Sequence, residues 1–176
     1  SGISSWSMRI NFKKIIYKCY FLGCLQTKRL IQTTLAIPTP VTLEEANLMI
    51  PGSPPSDQNH RADVNALING IMYVTDISMV SNALHPGQDE IQDMTTYIQA
   101  RDQSKRNKYR NLRPEYTFVP LIFGVNGFIG KSAASFFKVL ANAVDSLGRI
   151  PLWYYWQNIV PEFLTAIDIG NCLTHQ

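Results

Sequence analysis

The sequence predicts an α/β domain, and three observations carry that expectation. They are a β-hairpin signal at Asn69-Gly70, several stretches with apolar residues at helical spacing, and a nearly continuous apolar run from Tyr116 to Phe123 typical of a buried strand. The chain has 176 residues, 45% of them hydrophobic and 16% charged, which suits one compact domain over residues 8–176. Residues 1–7, SGISSWS, read as a cloning scar or cut edge before Met8. No run of about 18 uncharged apolar residues could span a bilayer, and Met8 to Cys24 lacks a signal-peptide layout. A soluble, intracellular protein with no membrane partner is expected. Cys19, Cys24 and Cys172 are an odd number in no metal-binding spacing, so neither a disulfide framework nor a zinc knuckle is predicted.

From Asn11 to about Leu35 the apolar positions Phe12, Ile15, Ile16, Cys19, Leu22 and Leu30 recur near helical spacing, until Pro38 and Pro40 forbid continuation. Thr42 ahead of Glu44 and Glu45 suggests a short helical turn, and Pro51 to Asp57 has the composition of an exposed loop. A hairpin follows, from Asp63 to Ser78. Glu90 to Asn111 reads as a second helix with Ile91, Met94, Tyr97 and Ile98 on one side. Tyr116 to Phe123 is the next strand, in which Pro120 implies an edge or irregular position. Lys131 to Leu147 is a third helix closed by Gly148, and Ile150 to Cys172 a last apolar helix broken near Pro161. The rings of Trp153, Tyr154, Tyr155 and Trp156 are expected mostly in the core, with homodimerisation through this segment as the alternative.

Net charge is only +3, but it is unevenly spread. Arg9, Lys13, Lys14, Lys18, Lys28 and Arg29 all precede the first acid, Glu44, and Arg101, Lys105, Arg106, Lys108, Arg110 and Arg113 fall within thirteen residues. Two basic blocks suit a polyanion, although a solvated helix face produces the same pattern.

The hairpin turn specifies which residues face each other. A two-residue Asn69-Gly70 loop sets Ile68 opposite Ile71, Asn65 opposite Val74 and Asp63 opposite Asp76. Val64, Ala66, Ile68, Ile71, Tyr73, Ile77 and Met79 then form the core side, with the aspartates on the other. Facing carboxylates repel, and a divalent cation relieves that repulsion. Lys105, Lys108 and Tyr109 lie three and four positions apart, so lysine can project from the same helix face as its neighbours. Two carboxylates for a metal and a cation for developing charge are what phosphodiester hydrolysis requires. Gly130-Lys131-Ser132 invites comparison with a phosphate loop, but that pattern needs glycine where Val125 stands. A glycine turn joining strand to helix is the better reading.

Arg61-Ala62-Asp63, twelve residues, Asp76-Ile77-Ser78, then Lys105-x-x-x-Tyr109 and Phe118-Val-Pro-Leu-Ile-Phe-Gly124 together resemble the restriction-like endonuclease domain of non-LTR retrotransposons, with residues 61–141 carrying the match. The resemblance implies a PD-(D/E)XK nuclease core, a mixed sheet flanked by helices, with a helical C-terminal segment. It implies Mg2+ or Mn2+ on Asp63 and Asp76, and catalytic or supporting roles for Lys105, Lys108 and Tyr109. Arg61, Lys13, Lys14, Arg101, Arg106 and Arg110 would bind double-stranded DNA. A reverse transcriptase domain in the same polyprotein and a nuclear location would follow. Ala62 replaces the usual proline, and Ser78 stands where restriction enzymes carry lysine, so the cation would come from the following helix. No acid lies between Met8 and Leu43, so Glu44 or Glu45 would supply the glutamate that many such nucleases carry on the first helix. The alternative is a catalytically silent domain that keeps the fold and binds nucleic acid or assembles a reverse-transcriptase protein.

Overall fold

A computed structural model describes residues 24–34, 41–45, 47–80, 90–124 and 127–172. The N-terminal part of the expected first helix, with Lys13 and Lys14, lies outside them; its described part is α1, residues 24–34. There follow β1 (Val41–Glu45), a single turn α2 (Pro55–Gln58), β2 (Ala62–Ile68), β3 (Ile71–Val80), α3 (Glu90–Lys108), β4 (Tyr116–Gly124) and α4 (Lys131–Leu147). A last helical run comprises α5 (Leu152–Tyr154), a π-helical turn (Tyr155–Ile159) and α6 (Val160–Cys172). Among the described residues no helix is long and apolar enough to cross a membrane.

The sheet has four strands in the order β1-β2-β3-β4. Asn69 and Gly70 take φ of 50° and 76°, the two positive angles of a type I′ turn. The strands pair antiparallel from Ile68↔Ile71 to Val64↔Thr75, the register that a two-residue loop dictates. Strand β4 returns parallel to β3, from Met72↔Tyr116 to Val80↔Gly124, after the crossover through α3 that a parallel pair requires. The sheet is therefore mixed. Pro120 cannot donate to a ladder, and β4 is an edge strand, where that loss is tolerated.

Strand β1 corrects the expected helical turn at Thr42. Val41 and Thr42 are β-branched, and the open edge of β2 offers ladder partners from Val41↔Ala66 to Glu45↔Ala62. Tertiary pairing outweighs a weak local signal there. The segment read as an exposed loop also contains α2, and it buries Ser53 and Asp57.

Helices cover both faces of the sheet. Val64, Ala66, Ile68, Tyr73, Ile77, Leu121 and Phe123 join Phe136, Phe137, Leu140 and Val144 of α4, Tyr155, and Phe163 of α6 in the main core. On the other face Ile122 packs with Met94 and Ile98 of α3, and Asp63, Asn65, Asp76 and Ser78 are buried as well. Alternating residues of β4 thus serve two cores, which is why its apolar run is nearly unbroken.

Between β4 and α4 the chain doubles back, with Gly124 N–H donating to Phe128 O at 2.8 Å and Gly130 N–H to Ile122 O at 2.8 Å. A Cβ on Gly124 would come within 2.9 Å of Met94 Sδ, so close packing rather than backbone freedom accounts for that glycine, while Gly127, with φ of 80°, takes the conformation a glycine turn needs. Gly148 closes α4 through its N–H to Val144 O.

Two expectations for the C-terminal segment need correcting. The helix is not broken at Pro161, because the wider π turn immediately before it accommodates a residue with no N–H to donate. Of the four adjacent rings only Tyr155 is buried, its hydroxyl donating to Phe137 O at 2.7 Å. Trp153 (61%), Tyr154 (44%) and Trp156 (40%) are exposed, since consecutive helical positions point in different directions and only one ring can reach the core.

Candidate active site

Asp63 on β2 and Asp76 on β3 are 4% and 2% exposed, on adjacent strands and close enough for the Asp76 charge to act on Asp63. The hairpin register places them there; the crossover helix closes over them. Asp76 Oδ1 accepts a hydrogen bond from Lys105 Nζ at 2.6 Å and Oδ2 one from Lys108 Nζ at 3.1 Å. Asp63 Oδ2 accepts the Ile77 backbone N–H at 2.6 Å. Residues 63, 76, 105 and 108 from three elements thus form one cluster.

The two aspartates differ electrostatically. Burial, then the neighbouring Asp76 charge, pushes Asp63 up to about 7, against the opposing Ile77 hydrogen bond and the Lys105 charge. Burial also acts to raise Asp76, but the hydrogen bonds and charges of Lys105 and Lys108 outweigh it and hold that carboxyl below its usual range. Asp76 is the anchored anion. Asp63 is the one of the pair that burial and its neighbour's charge push toward protonation.

Tyr109 is 3% exposed and donates its hydroxyl to Arg61 O at 2.5 Å. Its ring stacks on Phe118 with centroids 4.4 Å apart at 23°, and Lys108 Nζ lies 4.9 Å from its centroid. Burial and the Asp76 charge push its pKa up, so it stays a neutral donor. Its place is to seat the end of α3.

Several contacts around this end of the helix were invisible in the sequence. His60 Nδ1 donates to Lys108 O at 3.1 Å, a contact that assigns the tautomer, and its ring lies 5.9 Å from that of Tyr109. Asn111 Nδ2 donates to Asp57 Oδ2 at 2.7 Å, and Arg113 N–H to Leu48 O at 3.0 Å. The stretch 48–61 therefore holds the helix end that carries both lysines. Arg101 Nε donates to Ser78 Oγ at 2.8 Å, one helical turn from Lys105. The recurrence of cations at 101, 105 and 108 is the signal that could have placed Arg101 at the site rather than in a general basic patch.

Other expected residues stand apart. Arg106 pairs with Asp102 at 2.6 Å and donates to Ser132 Oγ at 2.9 Å, tying α3 to the start of α4. Arg61 and Arg110 are exposed. The side chains of Glu44 and Glu45 lie outside the described residues. Among the described residues no third histidine, cysteine or acid joins Asp63 and Asp76.

Asp63 and Asp76 are the residues that could hold a small hard cation. Mg2+ commonly takes one or two carboxylates and retains several waters, and a carboxylate oxygen can accept from lysine and a cation at once. No protein-family model and no curated protein matches this chain.

Proposed function

We propose that this chain is a divalent-metal-dependent DNA endonuclease domain with a PD-(D/E)XK-like core, nicking target DNA for retroelement insertion in a protein that also carries a reverse transcriptase. The observation that carries this reading is the convergence of Asp63, Asp76, Lys105 and Lys108, drawn from β2, β3 and α3, into one cluster. Asp63 and Asp76 would hold Mg2+ or Mn2+, which when bound supplies the Lewis acid that neutralises phosphate charge and makes water a better nucleophile. Lys105 and Lys108 would donate to phosphate oxygens as negative charge grows on them, from positions already organised by Asp76. Tyr109 and His60 keep those lysines in place. Asp63 would have to be ionised to hold the cation, so activity should rise with pH across the range around 7.

Plasmid nicking with Mg2+ or Mn2+ tests this. Wild type should nick only with metal, and Asp76→Ala should not; metal-independent nicking, or full activity in the variant, would defeat the proposal. A second reading is a catalytically silent domain that binds nucleic acid or assembles a reverse-transcriptase protein. It is favoured by the double lysine clasp on Asp76, which balances that charge without metal. Metal titration followed by calorimetry separates the two, because the silent domain would release no heat attributable to Asp63 and Asp76.

A further inference from the structure

We propose that the groove between the C-terminal end of β3 and the face of α3 that carries Tyr97 and Arg101 is a subsite for one unpaired nucleotide of a nucleic-acid strand, with its phosphate on Arg101 and its base on Tyr97. The groove encloses about 390 Å3 and is lined by Met79, Val80, Tyr97, Ala100, Arg101 and Ser104. That volume lies in the range of small-ligand clefts, about 300–1,000 Å3. The inference rests on the nucleic-acid reading above and extends it to the form of strand that the surface accepts.

Each part of a nucleotide has a partner there. Tyr97 was expected on the buried side of its helix together with Met94 and Ile98; those two are buried, yet Tyr97 is 49% exposed. An aromatic ring standing free at a groove wall is a stacking platform, and any base has a face to offer it. Arg101 is held by its Nε bond to Ser78 Oγ. A guanidinium carries five N–H donors and this contact uses one, so the side chain is preorganised for a phosphate. Ser104 contributes a hydroxyl beside it. Met79 and Val80 give an apolar floor against which a base edge or sugar packs.

Position links the groove to the acid cluster. Arg101 and Lys105 are four residues apart on α3 and therefore share a face, and Ser78 is two residues from Asp76 on the same side of β3. A strand whose phosphate met Lys105 and Lys108 would run directly into the groove. A base inside a duplex is stacked on both faces and cannot lie on Tyr97, so the subsite selects a nucleotide that is already unpaired.

The test is equilibrium binding in EDTA, which removes any contribution from a metal, using short fluorescent oligothymidylate and oligouridylate beside a duplex of equal length. Wild type should bind the single strands more tightly than the duplex, and the two single strands distinguish DNA from RNA as the source. Tyr97→Phe should stay within about twofold, and Tyr97→Ala should weaken binding by about tenfold or more. Arg101→Gln should reduce the salt dependence by about one phosphate contact. Ala100→Trp, at an exposed helix position, should fill the groove and weaken binding without unfolding the chain. An oligonucleotide with abasic sites should lose its sensitivity to Tyr97→Ala. Equal binding by wild type, Tyr97→Ala and Ala100→Trp would overturn the proposal, as would duplex preference. Retained metal-dependent nicking in that event would leave the nuclease reading intact, and loss of nicking with groove binding preserved would remove the nuclease reading alone.

Discussion

The two faces of the sheet are built by opposite rules. Toward α4 and α6 the buried strand residues are apolar except Thr75, whose hydroxyl donates to Val64 O at 2.6 Å, and Phe136, Leu140 and Tyr155 fill the space with almost no exposure. Toward α3 the same strands bury Asp63, Asn65, Asp76 and Ser78, and the chain must bring lysine, arginine and backbone N–H groups to meet them. Burying hydrocarbon needs no partner of specified chemistry, whereas a buried charge must be matched group by group. One face holds the domain together. The other carries a charge arrangement that stability alone would not select, with Asp63 pushed upward by burial and by the Asp76 charge.

Variants can break this contrast from either side. The largest effect is expected on the apolar face, where Phe136→Ala removes a ring that is 1% exposed and should cost about 3–5 kcal/mol in denaturant unfolding. On the polar face the sign should reverse at Asp63. Its carboxyl sits near 7 in the folded state against 3.8 ordinarily, so the folded protein binds the extra proton. Stability from this group is complete below about pH 4 and is lost as pH rises through 7. Without metal, Asp63→Asn should therefore be more stable than wild type at pH 8 by on the order of 2–4 kcal/mol, and should flatten the stability curve between pH 4 and 7. A variant that melts lower than wild type at pH 8 would show that the carboxylate is structurally required.

Metal sharpens the same comparison. Cation at about one hundred times its Kd should add about 2.7 kcal/mol to the wild type and little to Asp63→Asn, as thermal shift would record. Asp76→Asn should behave in the opposite way to Asp63→Asn. It strands Lys105 and Lys108 and should lose about 1–3 kcal/mol without metal. Repulsion across the hairpin alone would make the two acids equivalent and Asp76→Asn more stable than wild type; the lysine clasp removes that equivalence. The smallest effect is expected for Tyr109→Phe, about 1 kcal/mol for the lost bond to Arg61 O, with the stack on Phe118 retained.

What the sequence determined by itself is the local geometry. Asn69-Gly70 dictates a turn whose two positive φ angles leave one register, and that register makes Asp63 and Asp76 neighbours. Apolar spacing together with Gly148 delimits α4, and the spacing of 105, 108 and 109 puts two cations and a phenol at one end of α3. Each of these is settled within a turn or two of chain, where backbone sterics and periodicity act directly. Tertiary structure alone decided the pairing of β1 with β2, the covering of the acid face by α3, the His60 and Arg101 contacts, and the exposure of Tyr97, Trp153, Tyr154 and Trp156. It also decided which aspartate lysine holds as an anion and which is pushed toward protonation. Those outcomes depend on which distant surface a residue meets, and a carboxylate's charge state is set by the water it loses and the cations it gains, quantities that only the packed chain defines.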